Sequence, residues 1–489
     1  MSAYEDLMAQ DRTTQALASV AGRTGWDQET VMPAGAAELR SEEMAALEAV
    51  LHARRTDGRI GDWLAKAEAL DETGAAILRE MKRSYMRNTK VPEKLATDIA
   101  RHTSAGQGIW AKARAEDDFE GFAPTLSRMI DLKREEAACL ANGGDLYDAL
   151  LDDYEPGMTG AELQGLFDRM RPRLVDLRAR VLAAEAPAPL NRAFDEAGQM
   201  ALSAKLAEAF GYDLTRGRID KAVHPFSSGS GTDVRITTRT SPRDPFNCFY
   251  STIHEVGHAC YEQGVRAEYA LTPLGAGVSM GVHESQSRIY ENQLGRSRAF
   301  TGWLYGQMRD QFGDFGVADE EAFYAVVNRV GSGYIRTEAD EVHYNLHVML
   351  RFDLERQLIS GALDVADLED AWNARFEADF GVAVDKPSNG VLQDVHWSFG
   401  LFGYFPTYSL GNVYAGCLYA SLRKAVPSLD QDLSRGDTSA ATAWLKDNLQ
   451  QHGGLRAPRE TIEYACGFAP SEEPLLAYLE DKFESLYGV

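Results

Sequence analysis

Five cysteines in 489 residues, none in a CxxC pair, are too few and too scattered for a disulfide framework or a thiolate zinc site. Cys139, Cys248, Cys260, Cys417 and Cys466 fit a chain kept reduced, and a cytoplasmic location is expected. No stretch approaches the roughly 18 apolar residues of a membrane span, so no membrane partner is expected. The opening MSAYEDLMAQ carries acidic residues where a secretory signal needs a basic stretch ahead of an apolar one. Positive charge is short as well: 50 Lys plus Arg stand against 74 Asp plus Glu, a formal charge of −24. Nucleic acid is bound largely by neutralising phosphates, and no basic stripe offsets the deficit, which argues against that class of partner. Neither a long internal repeat nor a low-complexity linker interrupts the chain.

What is present is an ordinary globular composition, 44% hydrophobic and 25% charged, arranged with helical periodicity. Thr159 and Glu162 form a T-x-x-E capping box ahead of Leu163, Leu166, Phe167, Met170, Leu174 and Leu177, which predicts an amphipathic helix kinked near Pro172. From Ser471, the residues Leu475, Leu476, Leu479, Phe483 and Leu486 repeat the pattern. Ala, Glu, Leu and Arg dominate residues 1–150, which favours long helices. Only residues 233–239 read as a strand, with Val234 and Ile236 on one face and Arg235, Thr237 and Arg239 on the other. The Gly/Ser-rich turn at 227–232 and the run 219–226 before it are expected to pair with that strand as a hairpin. The expectation is one domain over 1–489, a large helical body with a small sheet.

His254-Glu255-Val256-Gly257-His258 carries the chemistry. Asp244 and Pro245 supply an N-cap and a first-turn proline and Gly264 a stop, so the five residues fall inside a helix spanning 245–263. Positions i and i+4 lie on one helix face about 6 Å apart along the axis, so both imidazoles reach one divalent ion. Glu255 then stands beside the ion without ligating it, placed to act as a base on a water; this is the HExxH arrangement of zinc hydrolases. His343 and His347 share the spacing but lack the glutamate, so they are read as a core or supporting pair.

A catalytic zinc needs a third protein ligand and an open position. Glu262 on the same helix lies about 12 Å along the axis from His254, too far to share the ion. The HExxHxxGxxH pattern is excluded because Tyr261 and Gly264 occupy its Gly and third His positions. Glu284, in a helix starting near His283 and closed by Gly295 after a glycine-rich connection, is the favoured ligand; Glu268 and Glu291 are weaker rivals.

Six blocks in order, His224-Pro225-Phe226, Asp233-Val234-Arg235-Ile236-Thr237, His254 to His258, His283-Glu284-Ser285-Gln286, Ile335 to Asp340 and Gly390 to Trp397, resemble the thermostable carboxypeptidase 1 (Taq-type) family of zinc metallocarboxypeptidases over nearly the whole chain. The resemblance implies a mainly helical, two-lobed body with a long central groove, similar to neurolysin and angiotensin-converting enzyme, with the helices of 1–150 covering the groove of a catalytic body at 151–489. It also implies a homodimer that releases single C-terminal amino acids from peptides with broad tolerance. His254, His258 and Glu284 match the family's metal ligands and Glu255 its catalytic glutamate; zinc is expected, with cobalt or manganese as alternatives.

The tetrahedral oxyanion needs donors besides the ion, and His396 at the end of the last block and Tyr408 beyond it, with Tyr404 as substitute, are the candidates. A free substrate carboxylate calls for a guanidinium, and Arg336 and Arg235 are the candidates. Arg336 has a competing use as the partner of Asp340, and Arg235 as a tie between strand and helix. An oligoendopeptidase or dipeptidyl carboxypeptidase on the same core, and a non-catalytic helical peptide-binding scaffold, are the alternative readings.

Overall fold

The computed structural model describes residues 2–489, and it is mostly helical with one three-stranded sheet. The first helix, α1 (Ala3–Thr30), opens on a capping box between Ser2 and Glu5. It pairs with α2 (Ala37–Arg55), and the two bury little: Leu7, Thr14 and Trp26 from α1, Leu51 from α2. Helix α3 (Leu146–Leu151) precedes α4 (Gly160–Ala183). The Thr159–Glu162 capping box opens α4 as expected, and Pro172 lies within an unbroken helix.

Strands β1 (Ile219–Lys221), β2 (Ser227–Ser230) and β3 (Asp233–Thr238) form a sheet in the order β1-β3-β2. The hairpin expectation holds for half of it. The segment 227–230, expected as a turn, is itself the strand antiparallel to β3, whereas β1 runs parallel to β3 in the register Ile219↔Ile236. The chain from Ala222 to Phe226 therefore crosses over before the hairpin begins. The alternation also fails at the end of β3, where Thr237 and Thr238 are both buried. Thr238 donates its hydroxyl to the Cys248 carbonyl of the next helix, so that end of the strand is covered on both faces.

That next helix, α5 (Pro245–Gly264), carries the HExxH residues. Asp244 accepts from the Asn247 amide and Pro245 occupies the first turn, as the residue types require. Helix α6 (Met280–Arg288) runs into a π-helical stretch, Ile289–Leu294, before Gly295. The central α7 (Glu341–Ser360) is buried along most of its length, capped by Asp340. Next come α8 (Pro406–Ala425) and, at the C-terminus, α9 (Glu473–Tyr487), whose apolar stripe is the one read from Leu475 onward.

Two glycines set the packing around α6. A Cβ at Gly257 would lie 2.5 Å from the Gln286 carbonyl and 2.7 Å from the Ser287 Cα. A Cβ at Gly411 would lie 2.5 Å from both Cβ and Cγ of Glu284. Helix α6 is thus clasped between α5 and α8 at distances that only residues without side chains permit.

Candidate metal centre

The clasp brings Glu284 over the two histidines of α5. Its Oε2 lies 3.7 Å from Nε2 of His254 and 3.5 Å from Nε2 of His258. Donor atoms of all three residues fall within 4.8 Å of one another. Ligands about 2.0–2.1 Å from a tetrahedral ion stand roughly 3.4 Å apart, so one nitrogen from each imidazole and one carboxylate oxygen fit a zinc-like ion with little movement. Arg288 donates to the other carboxylate oxygen at 2.7 Å, which orients Glu284 and leaves Oε2 toward the histidines. Neither rival converges: Glu268 is exposed beside Arg266, and Glu291 approaches the far side of His254.

Support for the two histidines differs. Nδ1 of His254 lies 2.9 Å from Oε2 of Glu291, a direct carboxylate partner. His258 instead meets a second imidazole, with Nδ1 of His258 2.6 Å from Nδ1 of His283, and Nε2 of His283 lies 2.9 Å from Oε1 of Glu262. For both Nε2 atoms of the motif to present lone pairs, their protons must sit on Nδ1. His258 then donates to His283, and His283 donates from Nε2 to Glu262. Glu262, too distant to ligate, ends this relay. Such outer partners hold ring orientation and raise ligand basicity. Residue spacing contains no signal for this relay, because it joins three residues of two helices only through the Gly257 crossing. Glu291 sits in the π-helical turn, where the periodicity predicts plain α-helix; such widened turns accompany functional sites.

Electrostatics match the geometry. Burial would raise the Glu284 carboxyl, but Arg288, His254 and His258 outweigh it and hold it well below the usual carboxylate range. Burial likewise opposes the charge on Glu291, yet its bond to His254 and the nearby Arg288 keep it at about 2. Burial pushes His258 down to about 3 against the pull of Glu284, so its imidazole is neutral at pH 7. His254 moves the other way: Glu284 and Glu291 outweigh burial and raise it. Glu255 is 6% exposed, and its carboxylate has no hydrogen-bond or ion-pair partner among the described residues. Burial, with Glu284 and Glu291 adding and His254 opposing, pushes it up to about 7.

A second group of polar residues borders the first. Nε2 of His396 lies 3.3 Å from the Tyr408 hydroxyl, and the Tyr404 ring is 5.3 Å from that of Tyr408. Burial, reinforced by Arg336 and Arg351 and opposed by Asp394, pushes His396 down to about 4, so it is neutral at pH 7. Tyr408 stands one helical turn before Gly411, the residue packed on Glu284. Arg288 stacks over the Tyr344 ring at 4.1 Å, and the Tyr344 hydroxyl accepts from Arg336 at 3.2 Å, which joins the two groups.

Arg336 and Arg235 are placed differently. Arg336 is buried in the second group, its Nε and Nη2 donating to Asp394 at 3.1 and 2.8 Å. The Asp340 pairing is corrected: Asp340 caps α7 and contacts His343, while Asp394 bridges Arg336 and the fully buried Arg351. Arg235 donates to Asp233 at 2.7 and 3.0 Å and stacks 4.6 Å from Trp26 of α1, which Arg218 covers at 5.0 Å. It ties the N-terminal helix to β3 and touches neither polar group. In both arginines the edge suited to bidentate binding is already filled by an intramolecular carboxylate. His343 and His347 are buried, with His347 packed 4.5 Å from Phe380, as a core pair should be.

The profile of the carboxypeptidase Taq (M32) metallopeptidase family matches residues 6–483. The chain belongs to this family. It is 42% identical to thermostable carboxypeptidase 1 of Thermus thermophilus, over all of this chain and 99% of that one. Carboxypeptidase 1 of Bacillus subtilis is 33% identical over 94% of each. The crystal structure of the M32 carboxypeptidase from Deinococcus radiodurans R1 superimposes with a TM-score of 0.97 at 40% identity, covering both chains fully. The mainly helical fold and the metallocarboxypeptidase activity implied by the six sequence blocks are those of the family. Its metal requirement fits the His254, His258 and Glu284 donor set.

Protons compete for that set. Because Glu284 and Glu291 hold the His254 pKa above that of an ordinary imidazole, the metal-free site keeps a proton there more readily than a free histidine does, and an ion must displace it. Titrating zinc into metal-free protein at pH 7 in buffers of different ionisation enthalpy should therefore show net proton release. Affinity should weaken as the pH falls through the elevated His254 pKa; a pH-independent affinity would contradict the proposed use of His254.

Proposed function

We propose that this metallocarboxypeptidase removes single amino acids from the C-terminus of peptides with broad side-chain tolerance, using one divalent ion, zinc in preference to cobalt or manganese, held by His254, His258 and Glu284. The observation that carries the proposal is the convergence of Glu284 Oε2 on both Nε2 atoms beside an unpartnered, buried Glu255. When bound, the ion polarises the scissile carbonyl and acidifies a water. Glu255 takes the water proton and passes it to the leaving amine. Burial pushes its carboxyl up to about 7 in the metal-free site, and the bound ion offsets that rise, which leaves a carboxylate able to take a proton and return it. His396 and Tyr408 donate to the developing oxyanion, with Tyr404 beside them. His396, neutral with Nδ1 otherwise unpartnered, and Tyr408, its hydroxyl kept protonated by burial, are in the right states for that task.

For the substrate carboxylate, Arg336 is favoured over Arg235 because it lies with the oxyanion group, 5.0 Å from the Tyr408 ring. With Nε and Nη2 committed to Asp394, it would engage the carboxylate through Nη1 beside the Tyr344 hydroxyl rather than through a two-bond fork. The remaining features follow the family resemblance: a groove covered by the helices of residues 1–150, a homodimer, and a cytoplasmic location.

The test is to chelate the protein, restore zinc, cobalt or manganese singly, and follow a decapeptide by mass spectrometry. A ladder losing one C-terminal residue at a time on metal return is expected. Internal fragments or released dipeptides would instead assign an oligoendopeptidase or dipeptidyl carboxypeptidase, and no products with any metal would leave the peptide-binding scaffold.

A further inference from the structure

Glu355, on α7, is fully buried, and no cation lies within ion-pair distance of it among the described residues. Three neutral donors reach its carboxylate. Trp397 Nε1 donates to Oε1 at 2.9 Å, while the Tyr147 hydroxyl and the Gly403 amide donate to Oε2 at 2.8 and 3.0 Å. A buried carboxylate without a counter-charge is costly, and a core that needed only filling would be better served by an apolar side chain of similar volume. A carboxylate, however, accepts in several directions and donates in none, which is what three converging donors demand.

Two of those donors are the ends of one turn. Trp397 follows His396 and Gly403 precedes Tyr404, so Glu355 ties the turn together immediately inside both residues. The turn is conformationally demanding, with Gly400 and Gly403 at φ of +71° and +85°. It is also wedged: a Cβ at Gly403 would lie 2.8 Å from the Leu151 amide nitrogen of α3. The third donor, Tyr147, belongs to the same helix, and the chain beyond it places the Tyr154 ring 5.1 Å from Tyr404.

We propose that Glu355 is a positioning residue for catalysis: by pinning Trp397 and Gly403 it sets the placement of His396, Tyr404 and Tyr408. This rests on the reading of His396 and Tyr408 as oxyanion donors. Donor placement matters to fractions of an ångström, so misplacement should appear in kcat and leave the ion untouched.

Glu355→Gln keeps the size but turns an N–H toward one of the donors; with the amide oxygen on the Tyr147 and Gly403 side, the clash falls on Trp397. We expect kcat on a free-acid peptide to fall by at least about tenfold, KM to change little, and zinc affinity to stay at the wild-type value. Adding Trp397→Phe, which removes the opposing N–H, should recover most of the loss, a rescue that generic destabilisation does not predict. Tyr147→Phe deletes one hydrogen bond without a new clash, and it covers the case in which Glu355→Gln does not fold; a roughly threefold or larger fall in kcat is expected. The inference is overturned if whichever of these single variants folds keeps kcat within about twofold of wild type, if zinc affinity falls in step with kcat, or if the double variant recovers nothing. Two controls separate this from failure of the underlying reading. Wild-type protein without amino-acid release removes the peptidase assignment, and an undiminished kcat in His396→Ala removes the oxyanion role.

Discussion

Glu255→Gln is expected to lower kcat by about 10²–10⁴-fold, the usual contribution of a general acid–base group, while the protein still binds one ion per chain. The substitution keeps side-chain volume in a buried site and removes the charge and the ability to take a proton. Glu255 is not among the three converging donors, so metal content should not change. Its neighbours sharpen the test. His254 and Glu284 act on the Glu255 carboxyl with opposite sign, and burial raises it to about 7 in the metal-free site. A bound cation favours the carboxylate and draws that value down, so the acid limb of kcat/KM should lie below 7, with activity rising as the group deprotonates. The limb should vanish in the Gln variant. Equal kcat for wild type and variant, measured by amino-acid release with metal content in parallel, would remove Glu255 from the mechanism.

The second large effect is expected far from any proton. Gly411→Ala puts a Cβ into the space held by Cβ and Cγ of Glu284, neither of which can swing away because Glu284 is buried between α5 and α8. Overpacking of this kind costs about 1–3 kcal/mol of stability, but here it also displaces a carboxylate whose oxygen stands 3.5 and 3.7 Å from two imidazoles. Zinc affinity should fall by about 100-fold or more, beyond the 10–100-fold typical of losing an outer partner. Gly416→Ala is the control. It lies on the same helix, and its Cβ would meet the Leu475 backbone of α9 at 2.7 Å, an equal crowding on the side away from Glu284. It should lower the melting temperature comparably and leave zinc affinity intact. If both variants lost zinc alike, the metal site would depend on global stability rather than on this helix contact.

The two expectations differ in how they could have been reached. Glu255 is legible in the chain because a helix period of 3.6 places residues 254 and 258 on one face, and the Asp244-Pro245 start and Gly264 stop bound that helix. Gly411 is not legible: nothing near it says that it faces residue 284. The same division runs through the rest of the site. The sequence favours Glu284 to complete the donor set, and the structure brings it to the histidines. The relay from His258 through His283 to Glu262, the Glu291 contact made from a π-helical turn, and the sharing of Asp394 by Arg336 and Arg351 all join segments remote in the chain.

The small sheet teaches the same lesson at lower stakes. Alternation identified β3, yet it could not tell the parallel partner β1 from a hairpin arm, because period 2 records which face is buried and says nothing of strand direction.

By itself, then, the chain determined the helical character, the capped helix with its two histidines and glutamate, the acidic balance and the family, all of which depend on residues close together or on ordered short blocks. Tertiary structure alone decided how closely Glu284 approaches the imidazoles, which partners orient them, and which arginine stands beside His396 and Tyr408. The approach of Glu284 is set where helices cross at glycines, and the distance of closest approach between two helices is a property of their packing that neither helix carries in its own periodicity.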